Sequence, residues 1–368
     1  MDLKKSQFYM RLAIREAYHA MGQSFPNPVV GAVIEKDGRL LAKAVTGEGG
    51  SPHAEIQCID KCSELDLRGA NLYVTLEPCC FVGKNPACVE RILAVGISCV
   101  YIAMIDPNPR VSGKSLKMLR ASAVKVVEGL LEDEARESLQ GFVKMHNQGL
   151  PYIRQKIAVT ADYKIAGAKR QKLAITDAVT NRWVHLHRAK SDAILTGIGT
   201  VLADDPMLNC RIIGLESKSP IRIILDSDCK IPLQSALVAS ANKILLWLVV
   251  AEGHNDDAKI KELEGLGVEI LRCKQKGGFL DIEFLLSLLA KREIANLFIE
   301  AGQKLNSSFL KYSDEIIFLK SKKIIGADAL DCCVEGSAIE ALQANNFEFH
   351  FERNLGKDLL RKYVRNNR

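Results

Sequence analysis

Between Ser51 and Ile92 the chain gathers side chains that bind metal and move protons. Pro52-His53-Ala54-Glu55 opens the stretch, Thr75-Leu76-Glu77-Pro78-Cys79-Cys80 follows, and Cys88 closes it. Imidazole nitrogen and thiolate sulfur are zinc donors, and a catalytic zinc takes three protein ligands while leaving its fourth position to water. His53, Cys79 and Cys88 meet that count. Glu55, two residues from His53, adds a carboxylate that need not touch the metal. Such a set suits hydrolysis, in which an activated water attacks an electrophilic carbon while the carboxylate carries protons. Two other readings stand beside it. Cys80 is a rival ligand, and as a fourth donor it would close the site into a structural zinc. With no metal at all, the cysteines would be core filling. Glu55 favours the catalytic arrangement, since a structural site has no use for it, and adjacent cysteines chelate one ion only with strain.

The elements around these residues must bring them together. The pattern predicts a helix from Pro52 to Cys62 with Pro52 in its first turn, where a missing N–H costs nothing. Asn71 to Leu76 reads as a buried strand between Gly69 and Pro78. A second helix is expected from near Pro86, placing Cys88 in its first turn. Two helix N-termini facing one strand end would surround a single ion. His-x-Glu followed by Pro-Cys and a second Cys is the order used by zinc deaminases, although eight residues separate these cysteines instead of two.

A chain of 368 residues is expected to hold two domains, each with its own core. Its 48% hydrophobic and 26% charged content are those of a globular protein. A net charge of +6 suits anionic small molecules; with 6% aromatic residues and no basic cluster, it speaks against nucleic acid as a partner. The densest basic run, Arg361 to Arg368, reads as a solvated, frayed end. No apolar run approaches the ~20 residues of a membrane helix, so no membrane partner is expected. Eleven scattered cysteines without a secretory start imply a reduced, cytoplasmic setting. A homo-oligomer is compatible with the sequence, which does not fix it.

The first half reads as alternating helix and strand. A helix near Gln7 to Ala20 precedes strands Val29 to Glu35 and Leu40 to Val45, joined by the hairpin signal Lys36-Asp37-Gly38. Further elements are a strand at Cys99 to Met104, a turn at Asp106-Pro107-Asn108-Pro109, a helix near Ser112 to Ala121, a strand at Val124 to Val127 and a helix at Glu132 to His146. Gln148 to Pro151 is the boundary, dividing the chain into residues 1–148 and 149–368. Beyond it, strands are expected at Tyr152 to Thr160, Asp192 to Gly197, Ile221 to Asp226, Ile244 to Val250, Val268 to Leu271, Leu297 to Glu300 and Glu315 to Leu319. A helix spans Asp177 to Lys190, and Gly199 to Pro206 reads as a polar loop. Two last strands are placed in Phe347 to Arg353 and just before it. Glu300-Ala301-Gly302 looks like a Gly turn opening a helix that could hold a phosphate. Gly197-Ile198-Gly199 also follows a strand but lacks the third Gly of a dinucleotide fingerprint.

Taken in order, Pro26-Asn27-Pro28-Val29-Val30-Gly31, the zinc motifs, Asp106-Pro107-Asn108-Pro109, Thr200-Val201-Leu202-Ala203-Asp204-Asp205-Pro206 and Glu300-Ala301-Gly302 resemble the bifunctional deaminase/reductases of riboflavin biosynthesis, over nearly the whole chain. The resemblance implies an α/β chain: an N-terminal cytidine-deaminase-like α/β/α domain, then a dihydrofolate-reductase-like α/β domain. It implies zinc and NADPH as cofactors and a phosphorylated pyrimidine as substrate, deaminated first and then reduced from ribosyl to ribityl. The family's long gap between cysteine ligands matches Cys79 and Cys88. Asn27 and Lys84 match deaminase substrate positions. Lys156, Arg188, Leu208, Arg211 and Glu300 match reductase substrate positions, and Ala158, Thr200, Asp204, Ser227 and the turn Gly302, Gln303, Lys304, Leu305, Asn306, Ser307 and Ser308 match the NADPH side.

The chain departs from the family at several places. Thr46 stands where the family has His, and Cys80-Phe81 where it has Ser-His. Asp162-Tyr163 replaces an Asp-Gly turn, which removes a residue that tolerates positive φ. Lys172 and Ala174 replace Ser and Trp in a substrate- and cofactor-contacting segment. An alternative reading therefore keeps the deaminase and treats the second half as a degenerate, structural domain.

Overall fold

The computed structural model describes residues 3–81, 86–167, 171, 173–332 and 337–366. The chain divides into two units, Met1–Gly149 and Leu150–Arg368.

In the first unit, α1 (Leu3–Ala20) is followed by β1 (Gly31–Lys36) and β2 (Arg39–Val45), α2 (Ala54–Lys61), β3 (Asn71–Leu76), α3 (Cys88–Ala94), β4 (Cys99–Met104), α4 (Lys114–Ala121), β5 (Lys125–Glu128) and α5 (Glu132–Gln148). The sheet order is β2-β1-β3-β4-β5. The β1 pairings are antiparallel and the rest parallel. Strand alternation divides the core in two. Val33, Tyr73 and Tyr101 face Tyr9, Met10 and Ala13 of α1 and Ala135 of α5. Ile34, Leu72, Val74, Val100 and Ile102 face α2, α3 and α4 through Ile59, Ile92 and Leu119. Three layers result. Gly31 is required where β1 passes under α1, since a Cβ there would lie 1.9 Å from the Ala13 carbonyl oxygen.

The second unit begins with β6 (Tyr152–Val159) and β7 (Lys164–Ala166), then α6 (Ala178–Ala189), β8 (Ala193–Gly197), α7 (Ile198–Asp204), β9 (Ile221–Leu225), α8 (Ala236–Ala239), β10 (Leu246–Ala251), α9 (Asp257–Gly265) and β11 (Val268–Cys273). The short β12 (Gln275–Lys276) and β13 (Phe279–Leu280) precede α10 (Ile282–Lys291), β14 (Asn296–Glu300), α11 (Gln303–Leu310) and β15 (Glu315–Lys320). Then come β16 (Leu330–Asp331), α12 (Ala338–Ala344), β17 (Phe347–Leu355) and β18 (Asp358–Arg365). Nine strands form one sheet in the order β11-β10-β9-β8-β14-β6-β15-β18-β17. It is parallel from β11 to β15. The hairpin β17–β18 closes it antiparallel. The chain runs outward from β8 to β11, then returns to insert β14 between β8 and β6. That reversal places several strand carboxyl ends side by side, where open α/β sheets bind their ligands.

Four expectations are corrected. Pro52 lies outside α2, whose N-cap is His53 with extended backbone, so the helix starts two residues later than the Pro signal suggested. Residues 198–204 form α7 instead of a loop, because Val201 can be buried against the sheet. The segment before Phe347 is α12, opened by a capping box between Ser337 and Glu340. As far as Arg365 the basic C-terminal run does not fray: Arg361, Lys362 and Arg365 belong to β18, inside the sheet.

Candidate active sites

In the first unit, the ends of three elements meet. His53 caps α2, Cys88 is the first residue of α3, and Cys79 follows β3 by three residues. Their donor atoms lie within 4.8 Å of one another. His53 Nδ1 is 3.3 Å from Cys88 Sγ and 3.5 Å from Cys79 Sγ, and the Cys88 backbone N–H donates to Cys79 Sγ at 3.3 Å. One imidazole and two sulfurs this close fit a zinc ion, with room for a non-protein fourth ligand. Cys80 stands apart from the cluster; its thiol turns toward the Arg110 carbonyl oxygen at 3.9 Å.

Glu55, one residue into α2, is only 3% exposed. Burial raises its carboxyl above the ordinary range, against the pull of His53. A hydrogen bond with Cys79 raises His53, against burial. Hydrogen bonding between the two cysteines drives the Cys79 thiol down and the Cys88 thiol up.

Two more acidic groups stand beside the cluster: Glu77, to which the sequence reading gave no role, and Asp106, in the turn whose polar groups were expected near these strand ends. Glu77, also 3% exposed, accepts from the Asp106 N–H at 3.2 Å, the Gly113 N–H at 2.9 Å and the Ser115 hydroxyl. It pins both ends of the Asp106–Gly113 loop to the strand end that leads to Cys79. Asp106 is buried, and burial pushes its carboxyl up to about 6 although the Asn108 N–H donates to it. Asn27 Nδ2 donates to the Gly50 carbonyl oxygen at 2.9 Å and steadies the turn ahead of His53. Lys84 lies outside the described residues.

The second unit assembles its own polar cluster at the carboxyl end of β14. Glu300 accepts from Arg188 Nε at 2.6 Å and from Arg188 Nη2 at 3.1 Å, a two-point grip. Lys156 Nζ lies 2.8 Å from the same carboxylate. Parallel pairing of β14 with β6 sets Glu300 directly beside Lys156. Burial alone would raise the Glu300 carboxyl, but Arg188 and Lys156 hold it far below the ordinary range. Arg188 Nη1 also donates to the Asn209 carbonyl oxygen, and Arg211 Nη1 donates to Asn209 Oδ1 at 2.9 Å. His185 approaches that Asn209 carbonyl at 3.0 Å. Arg188 and Lys156 thus grip one carboxylate, Arg211 is linked to Arg188 through Asn209, and Leu208 is buried at positive φ. His185 and Asn209 escaped the sequence reading because neither carries a motif.

The residues expected on the cofactor side also border these strand ends. Ala158 is on β6, Thr200 and Asp204 are on α7, Ser227 follows β9, and Gly302 caps α11, whose first residues are Gln303, Lys304 and Leu305. No side chain caps that helix, and a Cβ at Gly302 would meet open space. A helix start with no side-chain cap fits a nucleotide phosphate. Ser307 and Ser308 lie farther along α11. Asn306 points inward: it is 2% exposed, and its side chain bonds Gln155 and the Ala301 carbonyl oxygen, so its role is to brace the turn.

Residues 3–104 match the cytidine and deoxycytidylate deaminase zinc-binding region, and residues 151–360 match the RibD C-terminal domain. The chain is 36% identical over 359 residues to riboflavin biosynthesis protein RibD of Actinobacillus pleuropneumoniae, covering 97% of this chain and 94% of that one. It is 33% identical to RibD of Escherichia coli strain K12, covering 96% and 98%. The chain belongs to the RibD family. It is a bifunctional deaminase/reductase of riboflavin biosynthesis. Its fold agrees, with a TM-score of 0.88 to Acinetobacter baumannii RibD at 32% identity, each chain covered to 100%. The diaminohydroxyphosphoribosylaminopyrimidine deaminase/5-amino-6-(5-phosphoribosylamino)uracil reductase of Thermotoga maritima gives 0.86 at 31% identity, also covering 100% of each.

Against the RibD pattern, the departures now have surroundings. The Thr46 hydroxyl accepts from the Val30 N–H at 2.9 Å and reaches the Pro28 carbonyl oxygen at 3.2 Å, so it ties the Pro26–Gly31 motif to β2. Tyr163 takes the positive φ of the missing glycine, 59°. Its ring lies 4.1 Å from Lys320 Nζ and its hydroxyl accepts from Arg361. Lys172 lies outside the described residues. Ala174 offers its carbonyl oxygen to Lys323.

Proposed function

We propose that residues 1–148 deaminate 2,5-diamino-6-(5-phosphoribosylamino)pyrimidin-4-one and that residues 149–368 then reduce its ribosyl arm to ribityl. His53, Cys79 and Cys88 would hold the zinc. Zinc, when bound, lowers the pKa of water from 15.7 to about 7, which makes a nucleophile available at neutral pH. Glu55 accepts the proton of the attacking water and delivers it to the ring nitrogen, then to the departing amine. The observation that carries this reading is the buried Glu55 carboxylate, two residues from His53 and hydrogen-bonded to Cys88 of the His/Cys/Cys cluster. Asn27 and Lys84 would orient the substrate.

NADPH, when bound, supplies the hydride for the second reaction. Lys156 donates a hydrogen bond to the sugar oxygen that gains charge, and Glu300 keeps its ammonium aimed. Arg188 and Arg211 attract the phosphate, with Leu208 against the ring. Ala158, Thr200, Asp204, Ser227, residues 302–305, Ser307 and Ser308 would line the dinucleotide, with Asn306 bracing the turn beneath it. Among the described residues no helix is long and apolar enough to cross a membrane.

Glu55→Gln tests the first reaction. We expect zinc content to stay stoichiometric while ammonia release falls at least a hundredfold. NADPH consumption with the deaminated pyrimidine should be unchanged. Ammonia release at the wild-type rate would refute the assignment.

A further inference from the structure

The loop pinned by Glu77 carries a cation that no carboxylate among the described residues pairs with, Arg110. Its backbone is fixed on both sides. The Arg110 N–H donates to Asn108 Oδ1 at 3.0 Å, and its carbonyl oxygen accepts from Lys114 Nζ at 3.2 Å. Lys114 also bonds the Pro109 carbonyl oxygen at 2.9 Å, so its ammonium is engaged within the loop. The Arg110 guanidinium carbon sits 4.2 Å from the centre of the Phe81 ring. Phe81 is two residues from Cys79, and the Cys80 thiol lies against the Arg110 carbonyl oxygen. Arg110 is therefore held against the Cys80-Phe81 segment that directly follows the donor Cys79.

Stacking consumes the face of a guanidinium and leaves its N–H donors free in the plane, a fork that matches a phosphate at two points. An exposed arginine held this way has lost much of its rotamer freedom before a ligand arrives, so less is forfeited on binding. Phe81 occupies the position where the family pattern has a polar His, and a phenyl ring donates nothing. The same ring is what holds Arg110.

We infer that Arg110, seated on Phe81, grips the phosphate of the substrate's phosphoribosyl arm in the deaminase site and sets its preference for phosphorylated over unphosphorylated substrate. This rests on the deaminase reading above. Arg110 touches no reacting atom, so its contribution belongs in KM and not in kcat.

The test uses the full-length, zinc-loaded enzyme. Ammonia release is measured for wild type, Arg110→Met, Arg110→Lys and Phe81→Leu, each with the phosphorylated pyrimidine and with its dephosphorylated riboside. For Arg110→Met we expect KM for the phosphorylated substrate to rise about ten- to a hundredfold, the weight of a charge-assisted two-point contact. kcat should stay within about twofold, and kcat/KM for the riboside should not move. Arg110→Lys should recover part of the loss, and Phe81→Leu should show a smaller rise in the same direction. If Arg110→Met lowers kcat/KM equally for both substrates, or for neither, the inference is overturned while the deaminase stands. A wild-type enzyme that releases no ammonia overturns both.

Discussion

Replacing Glu300 with Gln keeps the shape of the reductase cluster and removes the charge on which it is built. The carboxylate is matched to Arg188 at two points and to Lys156 at one, and all three side chains are 14% exposed or less. Glutamine keeps a single carbonyl oxygen and turns an NH2 group toward a cation, so two charge-assisted contacts are lost and two cations remain half-buried. Removing one partner of a buried ion pair costs roughly 3–5 kcal/mol. Both tryptophans of the chain, Trp183 on α6 and Trp247 on β10, belong to the second unit, so tryptophan fluorescence reports its unfolding alone. With a urea dependence of about 1–3 kcal/mol per molar, the midpoint should fall by roughly 1–5 M. The pH dependence has a defined sign. The folded carboxyl is held below its unfolded value, so its stabilisation is complete above about pH 4.3 and drains away as pH falls from there. At pH 3.5 the gap between wild type and variant should be about 1 kcal/mol smaller than at pH 7. An unchanged midpoint at pH 7, or a gap that stays constant down to pH 3.5, would refute this account of the cluster.

Two further outcomes follow from the site geometry. Stripping zinc with a strong chelator should stop ammonia release, while NADPH consumption with the deaminated pyrimidine continues; equal loss of both would contradict the assignment of the metal to His53, Cys79 and Cys88. Tyr163→Gly should change the urea midpoint little. Relief of a positive-φ side chain contributes about 1 kcal/mol, and the lost Arg361 hydrogen bond and Lys320 contact remove a similar amount. A loss beyond about 3 kcal/mol would show that the Tyr163 contacts outweigh the strain.

The His53–Cys79–Cys88 cluster was legible in the sequence because its parts are local. His53 and Glu55 share one helix start, Cys88 opens another, and the β3 strand is a six-residue apolar run whose end is marked by Pro78. Each boundary is a short-range signal, and the ligands lie on the boundaries. Glu77 was not legible, although it stands two residues from Cys79. Its partners Asp106, Gly113 and Ser115 follow 29 to 38 residues later, so its burial shows only when β4 is laid beside β3. The reductase cluster is less local still. Arg188 and Glu300 are 112 residues apart; Glu300 sits in the Glu300-Ala301-Gly302 turn, but nothing near Arg188 in the chain advertises a role.

The C-terminal run shows why charge alone misled. Arg361, Lys362 and Arg365 look like a solvated tail only if water is their partner. In the fold, Lys362 Nζ reaches Glu315 at 2.6 Å and Arg361 reaches Glu352 at 2.8 Å. Arg365 donates to the carbonyl oxygens of Ser313, Asn345 and Leu310. Glu315 is 2% exposed and also accepts from Tyr152 and Arg154. Burial would lift its carboxyl, yet Arg154 and Lys362 bring it down to about 2. The hint lay at the other end of the pairing. Glu315 shares the alternating row of Ile317 and Leu319, both core residues, and a carboxylate in a core row is costly unless cations come to it. Arg154 supplies one from β6, and Lys362 can supply the second only as a strand beside β15. Leu360 and Tyr363 complete the case, one buried on each face of the sheet, as a strand with two covered faces requires and a frayed tail does not.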